Sequence, residues 1–245
     1  MKKTILAMFV AAATLMSCSG DDSSSTPPND DSVLLKKVID TFSDPTVGSV
    51  TTDLTYDGNK LTELVVSDGY SYNYTYVGDL LTTIEDFDGS TLESTATLEY
   101  DGSNRLIKVT TEFTGANTIV DTFTHNSDGT VTENENGGAI YVYTFSNGNE
   151  VTQDHTNGDS DYTSVYDDKN GVFKNIHQRE VFQLLGNYAF NNNLLSRNNT
   201  SGLTPNDNEE TTYTYNSSNY PITAVTTLEA GTPNEETTNS QFFYE

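Results

Sequence analysis

The feature that most constrains this chain is a phrase that recurs along it. Leu54-Thr55-Tyr56-Asp57-Gly58-Asn59-Lys60-Leu61 runs from alternating strand residues through a Tyr and a turn-forming Asp-Gly to the apolar residue that opens the next strand. Related phrases end on a ring at Tyr76, Tyr100, Phe145, Tyr166, Phe190 and Tyr215, with His125 in the ring position of a looser copy. The numbering puts successive copies 20 to 25 residues apart, and the chain closes on Phe243-Tyr244. A near-constant period of this length marks a supersecondary unit that cannot bury its apolar face alone and must stack on its neighbours. Each interval has room for two strands and two turns, so the unit reads as a β-hairpin. Asx-Gly pairs such as Asp57-Gly58, Asp88-Gly89 and Asp128-Gly129 are read as supplying the positive φ of the hairpin turns.

Within the units the pattern has period two. Tyr70, Tyr72, Tyr74 and Tyr76 alternate with Ser71, Asn73 and Thr75, and Leu92, Ala96, Leu98 and Tyr100 share a parity opposite to Glu93, Thr95, Thr97 and Glu99. One face is aromatic and aliphatic; the other is Thr, Glu and Asn. No series of amphipathic helices is present to cover the first face, so the meander has to cover itself. About 16 to 18 short strands fit between Val33 and Glu245, and open sheets rarely exceed about ten strands without curling. The expected fold is an all-β antiparallel up-and-down meander curled into a barrel, a half-barrel or a clam.

One interval breaks the alternation. Asn175 to Gly186 carries apolar residues at Val181, Phe182, Leu184 and Leu185 and ends on Gly. It reads as a short helix near 176–185 with a Gly C-cap, its apolar side closing one end of the curled sheet. A lid over an internal cavity is the functional alternative.

Ahead of the repeats, Lys2 and Lys3, an apolar run from Ile5 to Leu15 and the sequence Leu15-Met16-Ser17-Cys18 form a targeting segment. The run is shorter than the roughly 20 residues a helix needs to span a bilayer. Leu15-Met16-Ser17-Cys18 resembles the lipobox of bacterial lipoproteins, which implies cleavage before Cys18 and lipidation of its thiol. Residues 1–17 are then signal peptide, 18–32 an anchor and acidic tether without aliphatic or aromatic residues, and 33–245 a single repeat domain. Asp21-Asp22 resembles the export signal that sends lipoproteins of the Bacteroidetes to the outer face of the outer membrane, and Asp31-Ser32-Val33 resembles an O-glycosylation site of that group. Cys18 is the one Cys of the chain, so no disulfide, thiol nucleophile or Cys-based metal site is available.

A formal net charge of -25 repels phosphate backbones, which makes nucleic acid a poor partner. Chemistry is sparse elsewhere. His125, His155 and His177 fall in separate units with no metal-ligand spacing, and are read as non-catalytic. Asp154, Asn157, Asp159 and Asp161, or Glu85, Asp86 and Asp88, could offer oxygens to Ca²⁺, yet neither set matches a calcium-loop pattern and both are read as solvated hairpin segments. No phosphate-binding glycine loop is present, no cofactor is implied, and paired carboxylates for glycoside hydrolysis have unreadable separations.

The Tyr-Asp-Gly phrases resemble a degenerate YD (RHS-type) repeat. With Asp167-Asp168-Lys169-Asn170-Gly171, Asn219-Tyr220-Pro221 and the ending Gln241-Phe242-Phe243-Tyr244, the exported chain is similar to lipoproteins of Flavobacteriia and other Bacteroidetes grouped under a domain described as porin-like. The resemblance implies an antiparallel barrel-like fold and brings no activity with it. The expectation is therefore a non-enzymatic, monomeric, lipid-anchored outer-membrane protein at the cell surface that binds or scaffolds a glycan or protein partner. An alternative is a carrier of an apolar ligand in a cavity lined by Tyr70, Tyr72, Tyr74 and Tyr76. An integral outer-membrane barrel fits less well, because its strands need about nine to eleven residues and a uniformly apolar face.

Overall fold

The alternation resolves into one closed sheet. The structure is a computed structural model that describes residues 33–44, 46–156, 161–201 and 208–245. The signal segment, Cys18, the tether, Asn157 and Asp159 lie outside the described residues. The first eight strands are β1 (Leu35–Phe42), β2 (Ser49–Asp57), β3 (Lys60–Val66), β4 (Tyr70–Val77), β5 (Leu80–Asp88), β6 (Thr91–Tyr100), β7 (Leu106–Phe113) and β8 (Thr118–His125). The second eight are β9 (Val131–Glu135), β10 (Ala139–Ser146), β11 (Asn149–His155), β12 (Tyr162–Tyr166), β13 (Leu194–Asn199), β14 (Glu209–Tyr215), β15 (Pro221–Leu228) and β16 (Glu236–Tyr244). Each pairs antiparallel with its neighbours in sequence, and β1 pairs with β16 to close the barrel. Among the described residues every strand is paired on both sides, so the sheet has no edge strand.

Register puts the apolar parity inside. Leu54 faces Leu64, Leu64 faces Tyr72, Tyr74 faces Ile84, and Leu98 faces Val109, all on the lumen side. The outer positions pair Thr55 with Glu63, Thr83 with Thr97, Thr97 with Thr110 and Glu99 with Lys108.

The ring before each turn has a specific place in this register. At one end of the barrel the hairpins carry a bulge at Thr55/Tyr56, Thr75/Tyr76, Glu99/Tyr100, Thr144/Phe145 and Thr214/Tyr215. A bulge interrupts the ladder and leaves a backbone group for another partner. Here the partner comes from the following unit. The Tyr100 hydroxyl donates to the Leu81 carbonyl (2.7 Å), His125 Nε2 to Leu106 (2.8 Å) and Tyr166 to Glu150 (2.6 Å); in the last unit Tyr213, two residues before the ring position Tyr215, donates to Leu194 (3.0 Å). Each acceptor residue sits opposite the ring of the preceding unit: Leu81 opposite Tyr76, Leu106 opposite Tyr100, Glu150 opposite Phe145, Leu194 opposite Tyr166. The period of the sequence is the distance from one such ring to the next.

Two readings of the phrase are corrected by the backbone. Asp57 ends β2 and pairs with Lys60, so the two-residue turn is Gly58-Asn59, with the positive φ (60°) on Gly58 alone. Gly78 and Gly89 take the same place with φ of 60° and 58°. That is the first central position of a primed turn, which matches the twist of the flanking strands. The Phe190 copy, in turn, lies in no hairpin. Residues 167–193 leave the sheet between β12 and β13, and Phe190 packs edge-on against Tyr166 at 5.1 Å.

The excursion forms a plug across the bulged end. Its helix α1 (Arg179–Leu184) is shorter than the expected 176–185, and Gly186 follows with φ 78° as the left-handed cap. The helix starts late because the residues before it face other strands: His177 N–H donates to Asn59 O (2.8 Å), while Gln178, left-handed at φ 54°, accepts the Leu81 N–H on its side chain (2.6 Å). Val181 and Phe182 are buried, and Phe182 packs on Tyr74 at 5.7 Å. Asp167 ties the two ends of the plug, accepting from the Lys169 and Asn193 backbone N–H groups (3.0 Å each) and from the Tyr215 hydroxyl. Gly171 allows the plug to fold on itself, since a Cβ there would sit 2.3 Å from the Phe190 carbonyl oxygen.

Two substitutions test this account. Tyr100→Phe removes one inter-unit bond and strands the Leu81 carbonyl, with an expected loss of about 1 kcal/mol in urea unfolding. Gly171→Ala forces the plug apart and is expected to cost about 1–3 kcal/mol. A neutral Gly171→Ala would refute the close approach.

Candidate functional site in the barrel lumen

The lumen is divided by chemistry. Beneath the plug it is apolar: Leu35, Leu54, Leu61, Leu81, Leu106 and Phe242 are buried there with Val181 and Phe182. Toward the other end the inward parity turns polar, with Asp40, Thr52, Glu133, His155, Glu209, Thr211, Thr226 and Ser240 all buried.

The four Tyr residues singled out from the sequence all face inward, and they divide between the two regions. Tyr74 packs on Phe182 and Tyr76 on His177, at 5.7 and 6.1 Å between ring centroids. These two are filler under the plug. Tyr72, opposite Asp86, is buried and its phenol is held above its ordinary range, first by burial and then by the Asp86 carboxylate. Tyr70 lies half-buried at the far rim.

The polar region is organised around Arg197 on β13. Its guanidinium lies 3.2 Å from Glu150 Oε1, donates to Gln153 Oε1 (2.7 Å), and stacks 4.6 Å from the Tyr162 ring. Burial pushes the Glu150 carboxyl up and Arg197 opposes that shift. Around this pair, Tyr143 donates to Glu133 (2.5 Å) and Tyr188 donates to Glu209 (3.0 Å). Next to Glu209 is a cavity of about 20 Å³ lined by Tyr188, Phe190, Asn193 and Tyr213, room for about one water molecule. Three strands round from Glu209, at the β1–β16 seam, Asp40 is 1% exposed and accepts from the Ser240 hydroxyl at 3.3 Å. Burial pushes its carboxyl up to about 8.

The remaining candidates are spread out. His125 and His177 direct Nε2 to the backbone carbonyls of Leu106 and Asp79, and His155 stacks on Tyr141 at 4.7 Å. Glu85 faces outward and Asp86 inward on the same strand, so these carboxylates do not converge, and Asp161 accepts the His155 backbone N–H (2.7 Å). Among the described residues no group of three or more His, Asp or Glu side chains is arranged to hold a metal ion. The carboxylates of the lumen are instead met by neighbouring side chains: Glu150 by Arg197, Glu133 by Tyr143, Glu209 by Tyr188 and Asp40 by Ser240. Sequence reading missed Arg197, Glu133, Glu150 and Glu209. A parity count would have turned Glu133 inward with Val131 and Glu209 inward with Tyr213 and Tyr215, whereas Glu150 and Arg197 lie beside bulges that invert the count.

A closed sixteen-stranded up-and-down barrel with one plugged end defines the structural class of this chain. The chain is similar to a porin-like protein from Bacteroides uniformis ATCC 8492, with a TM-score of 0.54 and 12% identity over 86% of this chain and 96% of that one. A porin-like protein from Bacteroides vulgatus ATCC 8482 aligns at a TM-score of 0.41 and 9% identity over 87% and 99% of the two chains, too distant to carry an argument. No protein-family model and no curated protein matches the sequence. At these identities the likeness is one of fold.

Asp40 makes the lumen pH-sensitive. Its folded-state pKa of about 8 exceeds the ordinary 3.8, so folding favours the protonated form. Its contribution is complete below about pH 4 and is lost as pH rises toward 8. Asp40→Asn, which keeps a neutral acceptor for Ser240, is expected to raise Tm at pH 8 by about 4 °C or more and to change it little at pH 4. An equal shift at both pH values would refute the assignment.

Proposed function

We propose that this chain is an outer-membrane lipoprotein, anchored through Cys18, whose barrel stands in water as a non-catalytic binding or scaffolding module at the cell surface. The observation that carries this is the direction of the wall's alternation. A spanning barrel presents an apolar band about 25 Å tall to lipid and keeps polar residues inside. Here the outward rows are mainly Thr, Glu, Asn and Lys, with apolar residues such as Val65, Val120, Val142 and Val165 scattered among them and forming no continuous band, while Leu54, Leu64, Leu98 and Val109 point inward. The plug supports the same reading, since Phe182 and Val181 fill the end that a channel would leave open.

The packing of Tyr74 and Tyr76 under the plug favours a surface or rim partner over an apolar guest carried inside. Glycans and proteins are the partner classes that suit hairpin loops and half-buried rings such as Tyr70 and Tyr162 at the unplugged rim. The hairpins read as degenerate YD repeats serving as a scaffold.

The chain from Ser19 to Glu245 is expected to purify without detergent as a monomer with a β-rich circular dichroism spectrum. Aggregation relieved only by detergent would overturn the water-facing wall. On intact cells, added protease is expected to cleave the anchored protein, and Cys18→Ala is expected to release it.

A further inference from the structure

The charged residues of the barrel are sorted by end. Of eleven Lys and Arg residues, Lys2 and Lys3 belong to the signal segment, which leaves nine from Val33 onward. Lys36 and Lys37 open β1, Lys60 opens β3, Arg105 and Lys108 flank the start of β7, and Lys169, Lys174 and Arg179 belong to the plug. All eight lie in the plugged half. The ninth, Arg197, is inside the lumen against Glu150. The opposite rim carries Asp44, Asp68, Asp88, Glu135, Asp161 and Glu235 in six different connections or strand ends, with no Lys or Arg among its turns.

The cations of the plugged half are paired with carboxylates, as in Lys36–Glu245 (2.5 Å), Lys60–Asp79 (2.9 Å), Arg105–Asp101 (2.6 Å) and Lys169–Asp168 (2.7 Å). That end is close to electrically balanced, while the rim is anionic throughout. Exposed apolar side chains occur at both ends, Val77, Ile222 and Phe243 at one and Val47 and Phe113 at the other. Charge, not hydrophobicity, distinguishes them.

The chain also enters at the balanced end. Leu34 and Glu245 exchange backbone hydrogen bonds of 3.2 and 3.1 Å, and Asn175 of the plug donates to the Val33 carbonyl at 3.1 Å. The first described residue, Val33, therefore lies beside the plug, and Cys18 precedes it by fifteen positions. An anionic lipid surface adds the deciding term, because it repels the acidic rim within a Debye length and tolerates the balanced end.

We propose that the plugged end is the membrane-facing end: the barrel stands by its plug on an anionic lipid surface and displays its acidic mouth away from it. This rests on the lipid-anchored reading above, and the test is built to fail separately from it. The protein from Cys18 onward is coupled through that thiol to a maleimide-bearing lipid, so anchoring does not depend on cellular lipidation, which is read on its own by fatty-acid incorporation in cells. The chain has no Trp, so single reporters can be placed at Val77→Trp beside the plug and Val47→Trp at the rim, positions that are 69% and 51% exposed. Energy transfer is measured to a dansyl headgroup in phosphatidylglycerol-containing vesicles. Transfer from Val77→Trp is expected to be severalfold stronger than from Val47→Trp, and the difference to shrink in high salt or in pure phosphatidylcholine. Equal transfer, the reverse order, or a difference untouched by salt and lipid charge would overturn the proposal.

Discussion

The packing of Phe182 and Val181 against the Tyr and Leu side chains under the hairpin turns is the contact on which the molecule depends. A barrel of sixteen strands encloses more volume than its own wall can fill; at this strand number porins hold an aqueous channel. A lumen lined by Leu54, Leu64, Leu98 and Val109 cannot be left to water without forfeiting the burial that drives folding. The chain meets that constraint by spending one inter-strand connection, residues 167–193, as filler.

The plug can only be held if the wall offers it partners, and the bulges supply them. At the bulged end, backbone groups leave the ladder and turn toward the lumen or the plug. Rings from following units take some, as Tyr100 does at Leu81, and the plug takes others, as Gln178 does at the Leu81 N–H. One residue thus serves the unit-to-unit bond and the plug-to-wall bond together. The repeat and its interruption form one hydrogen-bonded system.

Away from α1 the lumen changes character because its inward positions there are largely Asp, Glu, Thr and Ser, which the plug meets through the Tyr188 hydroxyl. Carboxylates there survive by pairing with Arg197, with Tyr hydroxyls, or, at Asp40, by staying protonated. The wall outside is mainly Thr and charged residues, so the apolar side chains concentrate inside, beneath the plug. The choice is one of parity: an up-and-down strand order is compatible with Leu and Tyr on either face of the sheet.

Much of this was legible in the chain itself. Period-two alternation has only two faces to choose from, so Tyr70 to Tyr76 had to point one way and Ser71 to Thr75 the other. The ring-turn phrase set the hairpin length, and strand count alone demanded curvature. The helix before Gly186 showed because its apolar spacing broke the alternation. What remained illegible depends on contacts between residues far apart in sequence. The Phe190 copy has the local look of Tyr215, and only the plug's docking on Tyr166 takes it out of the sheet. Local sequence likewise cannot show that Asp57 closes a strand while Gly58 opens the turn, because register is settled by the cross-strand pair with Lys60. Arg197 and Glu150 stand on different strands 47 positions apart by their numbering, and their meeting is a consequence of barrel closure. Alternation, period and turn chemistry are properties of neighbours in the chain, and the sequence determines them; closure, plugging and the charge of the lumen are properties of neighbours in space, and the tertiary structure decides them.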